Sequence, residues 1–207
     1  MTTPIPAPPF TGPAPARRLE RTADALTAHG FTIQILDDAA SARTRVKDLI
    51  PEGATVFTGA SETLRLSGIE ADINTSGRYQ AIRPRVLAMD RATEADDIRR
   101  LVTSPDVAMG SVAALTETGS LVIASASGSQ LPGYAGGASR AIWIVGAQKV
   151  VPDLSAALRR VEDHCSAKPS GSETTLTRGR APPARAGPRR TAAPARRGGR
   201  PRRDGGS

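Results

Sequence analysis

The chain has very little of several residue types on which common protein chemistries depend. Its 207 residues include one cysteine, Cys165, and two histidines. A single thiol forms no intrachain disulfide, and alone it holds neither a zinc ion nor an iron–sulfur cluster. His29 and His164 lie at the ends of predicted helices, and neither fits an obvious serine-based triad. We therefore expect no metal and no cofactor, and the cytoplasm is the default compartment.

Aromatic residues and long apolar runs are also scarce. Aromatics make up 3% of the chain and hydrophobic residues 39%. The core must therefore consist of Ala, Val, Ile and Leu, which suits β-branched strands covered by Ala/Leu helices. The longest apolar runs, such as 141–145, are far too short to cross a bilayer, so no membrane partner is expected.

The net charge of +8 belongs to one segment of the chain. Residues 166–207 hold ten Arg and one Lys against two acidic side chains, which gives +9, whereas residues 1–165 hold seventeen basic and eighteen acidic side chains, which gives −1. This tail offers almost no apolar surface, so we predict that it is disordered. It could bind nucleic acid weakly. A passive extension is the favoured alternative, since a shifted reading frame in a GC-rich gene gives the same composition.

The remaining residues predict one domain with alternating helices and strands. Residues 1–16 read as a flexible Pro-rich leader, and residues 17–165 as a single α/β domain. The predicted helices span 17–29, 37–50, 93–102 and 152–164, and the predicted strands span 31–36, 54–57, 106–109, 120–125 and 141–145. We expect Gly30 to end the first helix, Asp37 or Asp38 to cap the second, Thr93 to cap the third, and Pro152 and Asp153 to begin the last. Pro84 is expected to lie in the first turn of a further helix. This alternation of helices and strands is typical of a doubly wound, mainly parallel sheet.

Three loops follow strands of the predicted sheet, where open parallel sheets bind their ligands. The first, 58–63, combines Gly59, Ser61 and Thr63 just ahead of a helix. Backbone N–H groups and hydroxyls there could cradle an anion. The alternative is that Ser61 caps the helix while Gly59 permits the turn.

The second loop, 110–119, contains a carboxylate between two apolar strands. Glu117 could act as a general base with a raised pKa, or it could hold the turn through local hydrogen bonds, which is the favoured alternative. The candidate ligand-binding residues of this loop are Gly110, Ser111, Thr116 and Gly119.

The third loop, 125–137, is long and rich in small residues. Its candidate ligand-binding residues are Ser125, Ser127, Gly128 and Gln130. A mobile lid is the alternative, and the two roles are compatible. Tyr134 could contact a ligand, although one tyrosine is a weak signal. Lys149 could meet an anion, but a solvated loop lysine is the favoured interpretation.

Two runs of residues carry a resemblance to a known family. Met109–Ser125 (MGSVAALTETGSLVIAS) resembles the "alanine–x–threonine–glutamate–x–glycine–threonine–leucine–valine" signature of the LUD domain, the lactate-utilisation family. Ala141–Leu154 (AIWIVGAQKVVPDL) resembles its second hallmark, a strand and short loop followed by valine–proline at the last helix. Gly59 to Gly68 is similar to its first loop. The resemblance covers roughly residues 17–164.

The resemblance implies a fold similar to glucosamine-phosphate deaminase, ribose-phosphate isomerase and the CoA-transferases. It also implies a role in oxidising L-lactate to pyruvate beside partner proteins that carry iron–sulfur clusters, with a small anionic ligand or a partner bound at the three loops. The alternatives are an isomerase or acyl/CoA-transferase-like enzyme acting on a phosphosugar or CoA ester with Glu117 as base or nucleophile, and nucleic-acid binding through the tail. Relatives often have a histidine where this chain has Ala113, so proton transfer by that imidazole is absent here.

Overall fold

Helices and strands alternate along residues 10–165 and 175–179, which are the residues that the computed structural model describes. The helices are α1 (Ala16–Ala28), α2 (Ala39–Leu49), α3 (Glu62–Leu66), α4 (Ile69–Asn74), α5 (Ile82–Ala88), α6 (Ala95–Thr103) and α7 (Leu154–Cys165). The strands are β1 (Thr55–Thr58), β2 (Gln80–Ala81), β3 (Val107–Gly110), β4 (Ala114–Thr116), β5 (Leu121–Ser125), β6 (Arg140–Trp143), β7 (Val150–Val151) and β8 (Thr175–Gly179). A π-helical turn spans Gly133–Gly137 and a 3₁₀ turn spans Ala147–Lys149.

The strands form two four-stranded sheets. The first has the order β2-β1-β3-β6 and is parallel throughout. The second has the order β7-β4-β5-β8, in which β4 is parallel to β7 and forms an antiparallel hairpin with β5. The α/β class with a mainly parallel sheet is therefore confirmed. However, β5 lies in the mixed second sheet rather than in the parallel one.

Apolar side chains cover both faces of the parallel sheet, as in a doubly wound fold. One face packs against α2, α3 and α4 through a core that includes Val56, Val107 and Met109. The other face contributes Phe57 to a cluster with α5 and α6, and Ala108 to a cluster shared with the second sheet. The far face of the second sheet packs on α7. The carboxyl ends of β1 and β3 are consequently fixed side by side.

Three of the helices end or begin at the residues that the sequence predicts. Gly30 ends α1 in the left-handed region, with φ of 87°, and the amides of Gly30 and Phe31 donate to the last carbonyls of the helix. Asp38 caps α2 by accepting from the Ser41 amide at 2.7 Å. Asp153 accepts from the Ala156 amide at 2.8 Å at the start of α7. Pro84 lies in the first turn of α5, as predicted.

Two local predictions are wrong. Residues 31–36 alternate like a strand but form none, because no neighbouring strand pairs with them among the described residues. Thr93 does not cap α6, since its hydroxyl donates to Asp90 in the preceding turn and Glu94 is the N-cap residue. In both cases a longer-range or competing contact overrides the local signal.

The segments flanking the predicted domain are partly structured. In the leader, the Ala14 amide donates to the Ala147 carbonyl at 3.2 Å, and Phe10 packs against the core beside α7. In the tail, β8 pairs antiparallel with β5, so these five residues differ from the expectation of disorder. Alternating threonine and leucine suit a strand at the otherwise open edge of β5. The rest of the tail and residues 1–9 lie outside the described residues. None of the described helices has the length and apolarity that crossing a membrane requires.

Candidate functional site

The first two loops meet at the carboxyl end of the parallel sheet. Thr58 in β1 is in register with Met109 in β3, and the Gly59 amide donates to the Met109 carbonyl at 2.8 Å. Beyond these strands, the Ser111 hydroxyl lies 3.5 Å from the Thr63 hydroxyl. The two loops therefore present a pair of hydroxyls beside two glycines at the place where such sheets bind ligands.

Lys149 brings a cation to these hydroxyls. It ends the 3₁₀ turn that leads into β7, and its Nζ donates to the Ser111 hydroxyl at 2.8 Å and to the Val112 carbonyl at 2.9 Å. The side chain is half-buried. An ammonium group held by neutral oxygens in partial shelter from water attracts an anion more strongly than a solvated one does.

Tyr134 closes the site from the third loop. A Cβ atom at Gly110 would lie 1.8 Å from the Tyr134 hydroxyl, and one at Gly59 would lie 3.3 Å from it, so both glycines are needed for this close approach. The Tyr134 ring packs against Trp143, with 5.3 Å between centroids. Burial raises the pKa of the Tyr134 phenol well above its ordinary value, so the hydroxyl stays protonated as a donor. Gln130 also borders Gly59.

Two arginines hold the backbone around this site. Buried Arg160 on α7 donates to the carbonyl of Ala113, directly after the carbonyl that Lys149 holds. Arg83 on α5 donates to the carbonyl of Thr58 at 3.3 Å. Ala113 itself packs in the core beside α7. These contacts hold the backbone at the end of β1 and directly before β4.

Several candidate residues instead complete local turns. Ser61 accepts from the Leu64 amide at 3.3 Å and so caps α3, in agreement with the structural alternative. The Ser125 hydroxyl accepts from the Gly128 amide at 2.9 Å, and the Ser127 and Ser129 hydroxyls lie 3.0 Å apart. These bonds shape the start of the third loop.

Glu117 lies at the opposite end of β4 from Ser111. Its carboxylate lies 2.5 Å from Arg21, which donates a hydrogen bond to it, and 2.5 Å from the Nε of Arg18, whose N–H is not aligned for one. Both arginines belong to α1. The Glu117 amide also donates to the Val151 carbonyl at 2.9 Å. The carboxylate therefore joins the turn to α1 through Arg18 and Arg21 rather than through local hydrogen bonds, and its catalytic role stays an untested prediction.

Thr116 and Gly119 belong to the same turn as Glu117. Buried Thr116 accepts from the Ser120 amide at 2.9 Å. Gly119 has φ of 80°, and its carbonyl lies 3.0 Å from the His29 Nδ1. The structure therefore brings Gly59, Thr63, Gly110, Ser111 and Gln130 together, and it places Thr116, Glu117 and Gly119 elsewhere.

Two further kinds of candidate site were considered among the described residues: a metal site and a surface depression. No group of three or more His, Cys, Asp or Glu side chains within 10–165 and 175–179 could hold a metal ion. A shallow open depression lies along α6, but its Arg99 pairs with Asp96 one turn away, and Arg100 pairs likewise with Asp97. It is remote from the carboxyl ends of the strands.

The sequence model of the LUD domain matches residues 19–197. The chain belongs to the LUD domain family. The resemblance noted in the sequence is thus confirmed, and the match runs past residue 165, where we had placed the end of the domain, to include β8. No curated protein and no solved structure matches this LUD-domain chain.

The sequence of this LUD-domain protein gave only weak signals for Lys149 and Tyr134 as ligand contacts, and it gave none for Arg160. Lys149 reaches Ser111 across 38 residues of chain, and no local pattern distinguishes such a lysine from a solvated one. The glycines were the available signal for Tyr134, because each marks a place where something approaches the backbone closely.

Proposed function

We propose that this LUD-domain protein supports lactate utilisation by binding a small carboxylate at the carboxyl ends of β1 and β3. The observation that carries the proposal is the Lys149 ammonium held at 2.8 Å from the Ser111 hydroxyl. L-lactate and pyruvate are both small carboxylates, so the chemistry of the site agrees with the role associated with the family.

The size and polarity of the site support a small ligand. Tyr134 covers the two glycines closely, which leaves little depth above them. The Ser111 and Thr63 hydroxyls lie beside the Lys149 ammonium group, and such a set suits one carboxylate and a neighbouring hydroxyl or keto oxygen. A large cofactor would have to displace the third loop.

Oxidation of lactate to pyruvate needs an electron acceptor, and this chain has a single cysteine. One thiolate cannot hold an iron–sulfur cluster. We therefore place the redox step in partner proteins that carry such clusters, with this chain acting beside them.

Growth on L-lactate as sole carbon source tests this role. Deletion of the gene should abolish growth. The wild-type gene should restore growth, and the gene for Lys149→Gln should not.

Binding is tested directly by the melting temperature of the full chain with L-lactate, pyruvate, inorganic phosphate or ribose 5-phosphate. A ligand at one hundred times its Kd stabilises the native state by about 2.7 kcal/mol, which raises the melting temperature by several degrees. We expect the shift with lactate or pyruvate. Lys149→Gln should remove it, and Lys47→Gln, the same change on exposed α2, should not.

The outcomes of the ligand series separate the possible anions. A shift with phosphate or ribose 5-phosphate alone would replace the carboxylate by a phosphate ligand and contradict the proposal. A shift that persists in Lys149→Gln would move the site elsewhere in the chain.

A further inference from the structure

We infer that Ser111 is an acyl-accepting nucleophile and that Lys149 is its base. The Ser111 hydroxyl and the Lys149 amine are 2.8 Å apart, within hydrogen-bond reach of each other. A serine hydroxyl is a weak nucleophile unless a neighbouring base takes its proton, and a lysine amine serves as that base in Ser–Lys pairs on unrelated folds. Ser111 directly follows β3, so it is presented at the edge where parallel sheets place reacting groups.

A third group fixes the direction of the base. The Val112 carbonyl accepts from the Lys149 Nζ at 2.9 Å, which holds the amine against the serine of the preceding residue. The 3₁₀ turn and β7, paired with β4, anchor the backbone of Lys149 on the same side. Nucleophile, base and orienting acceptor are thus all supplied by two short segments.

Donors for a developing oxyanion lie next to the nucleophile. The backbone N–H groups of Ser111 and Val112 donate to no acceptor among the described residues. Unpaired amides beside a nucleophile stabilise the negative charge of a tetrahedral intermediate. The Tyr134 hydroxyl occupies the space above the preceding residue, Gly110, so it borders the nucleophile on that side.

The reaction that this set supports is transfer of a small acyl group from an ester or thioester. The neutral Lys149 amine takes the Ser111 proton as the Oγ–C bond forms at the carbonyl carbon. The C–O or C–S bond then breaks, and the leaving oxygen or sulfur receives the proton from Lys149. Water hydrolyses the acyl-serine by the same proton transfers. This activity goes beyond the proposed function, which uses the protonated form of the same lysine.

A fluorophosphonate probe on the full chain tests the nucleophile, because a reactive serine forms an Oγ–P bond and releases fluoride. We expect labelling of Ser111, located by peptide mass spectrometry, with a rate that rises with pH as the amine loses its proton. Ser111→Ala should abolish labelling, and Ser139→Ala, at an exposed serine outside the site, should leave it unchanged. Absence of labelling in the wild type, or labelling only at another serine, would overturn the inference.

Lys149→Arg separates the two roles of the lysine. Arginine keeps the positive charge but cannot act as a base at ordinary pH. We expect this variant to keep anion binding while the labelling rate falls at least 100-fold, the usual contribution of a positioned base. An unchanged labelling rate in a Lys149→Arg variant with native melting temperature would remove Lys149 as the base.

The two proposals also fail separately. If Lys149→Arg does not fold, Lys149→Gln takes its place in the labelling assay, with the same result expected. An anion-induced rise in melting temperature without any labelling leaves the proposed function standing and overturns the nucleophile. Labelling of Ser111 without an anion-induced rise in melting temperature supports the nucleophile and contradicts the proposed function.

Discussion

The two ends of β4 carry charged side chains in contrasting surroundings. At one end the Glu117 carboxylate contacts two arginines of α1, 2.5 Å away on each side. At the other end the Lys149 ammonium contacts a hydroxyl and a backbone carbonyl, both neutral. The charge of Glu117 is thus compensated within the fold, whereas the hydrogen bonds of Lys149 to Ser111 and Val112 hold the ammonium group in place through neutral oxygens.

The comparison separates a charge that joins two elements of the fold from a charge at the candidate site. A carboxylate between two cations joins a helix to a hairpin turn and stabilises the packing of α1. A cation that donates to a serine hydroxyl beside close-packed glycines lies at the candidate ligand site. The residue with the more suggestive sequence context, Glu117, lies at the structural end, and the residue that looks like a solvated lysine lies at the candidate site.

The close packing at the Lys149 end predicts the largest effect on stability. Gly110→Ala places a Cβ 1.8 Å from the Tyr134 hydroxyl, so the ring must move, and we expect a loss of about 2 kcal/mol in the free energy of unfolding. Tyr134→Phe in the same chain removes the clashing oxygen and should restore more than half of this loss.

Urea unfolding measures these changes, with Gly12→Ala as the matched control because a Cβ there meets nothing within 4 Å. If the double variant were no more stable than Gly110→Ala, the contact between Tyr134 and Gly110 would not be the cause.

The Glu117 end predicts a smaller effect, on stability alone. Glu117→Gln leaves the size of the side chain but removes the charge between Arg18 and Arg21. Because both arginines are partly exposed to solvent, we expect a loss of about 1 kcal/mol in the free energy of unfolding. Glu162→Gln, at an exposed position on α7, should change it by less than about 0.5 kcal/mol. Equal losses in the two variants would contradict a structural role for Glu117.

A third ion pair, between Arg43 on α2 and Asp72 on α4, predicts a small pH-dependent effect for comparison with the ion pairs of Glu117. The hydrogen bond from Arg43 lowers the pKa of Asp72 below its ordinary value of 3.8. Because the folded-state pKa is the lower one, this stabilisation is present above 3.8 and is lost as the pH falls through the folded-state pKa.

Urea midpoints at pH 6 and pH 2.5 test this contribution. The free energy of unfolding of the wild type should fall slightly more than that of Arg43→Gln over this range, and the difference should be small because the pair is partly exposed. Equal losses would show that Arg43 contributes nothing to the pH dependence.

Local signals in the sequence predicted much of the fold and less of the site. The caps Asp38 and Gly30 act through contacts a few residues away, so composition and spacing reveal them. Residues 31–36 failed as a strand because alternation does not supply a neighbouring strand. The site residues come together across long separations: Lys149 and Ser111 are 38 residues apart, and Arg21 and Glu117 are 96 apart. Lys149 meets Ser111 because β7 pairs with β4, and Arg21 meets Glu117 because α1 packs against the hairpin turn. Neither placement can be read from the local sequence.

The central claim is that the ligand binds at the Lys149 end of β4 and not at the Glu117 end. Calorimetric titration of L-lactate and pyruvate into the wild type, Lys149→Gln and Glu117→Gln tests it most directly. We predict that Lys149→Gln weakens binding at least tenfold, which corresponds to about 1.4 kcal/mol, while Glu117→Gln binds as the wild type does. Loss of binding in Glu117→Gln with unchanged affinity in Lys149→Gln would contradict the claim.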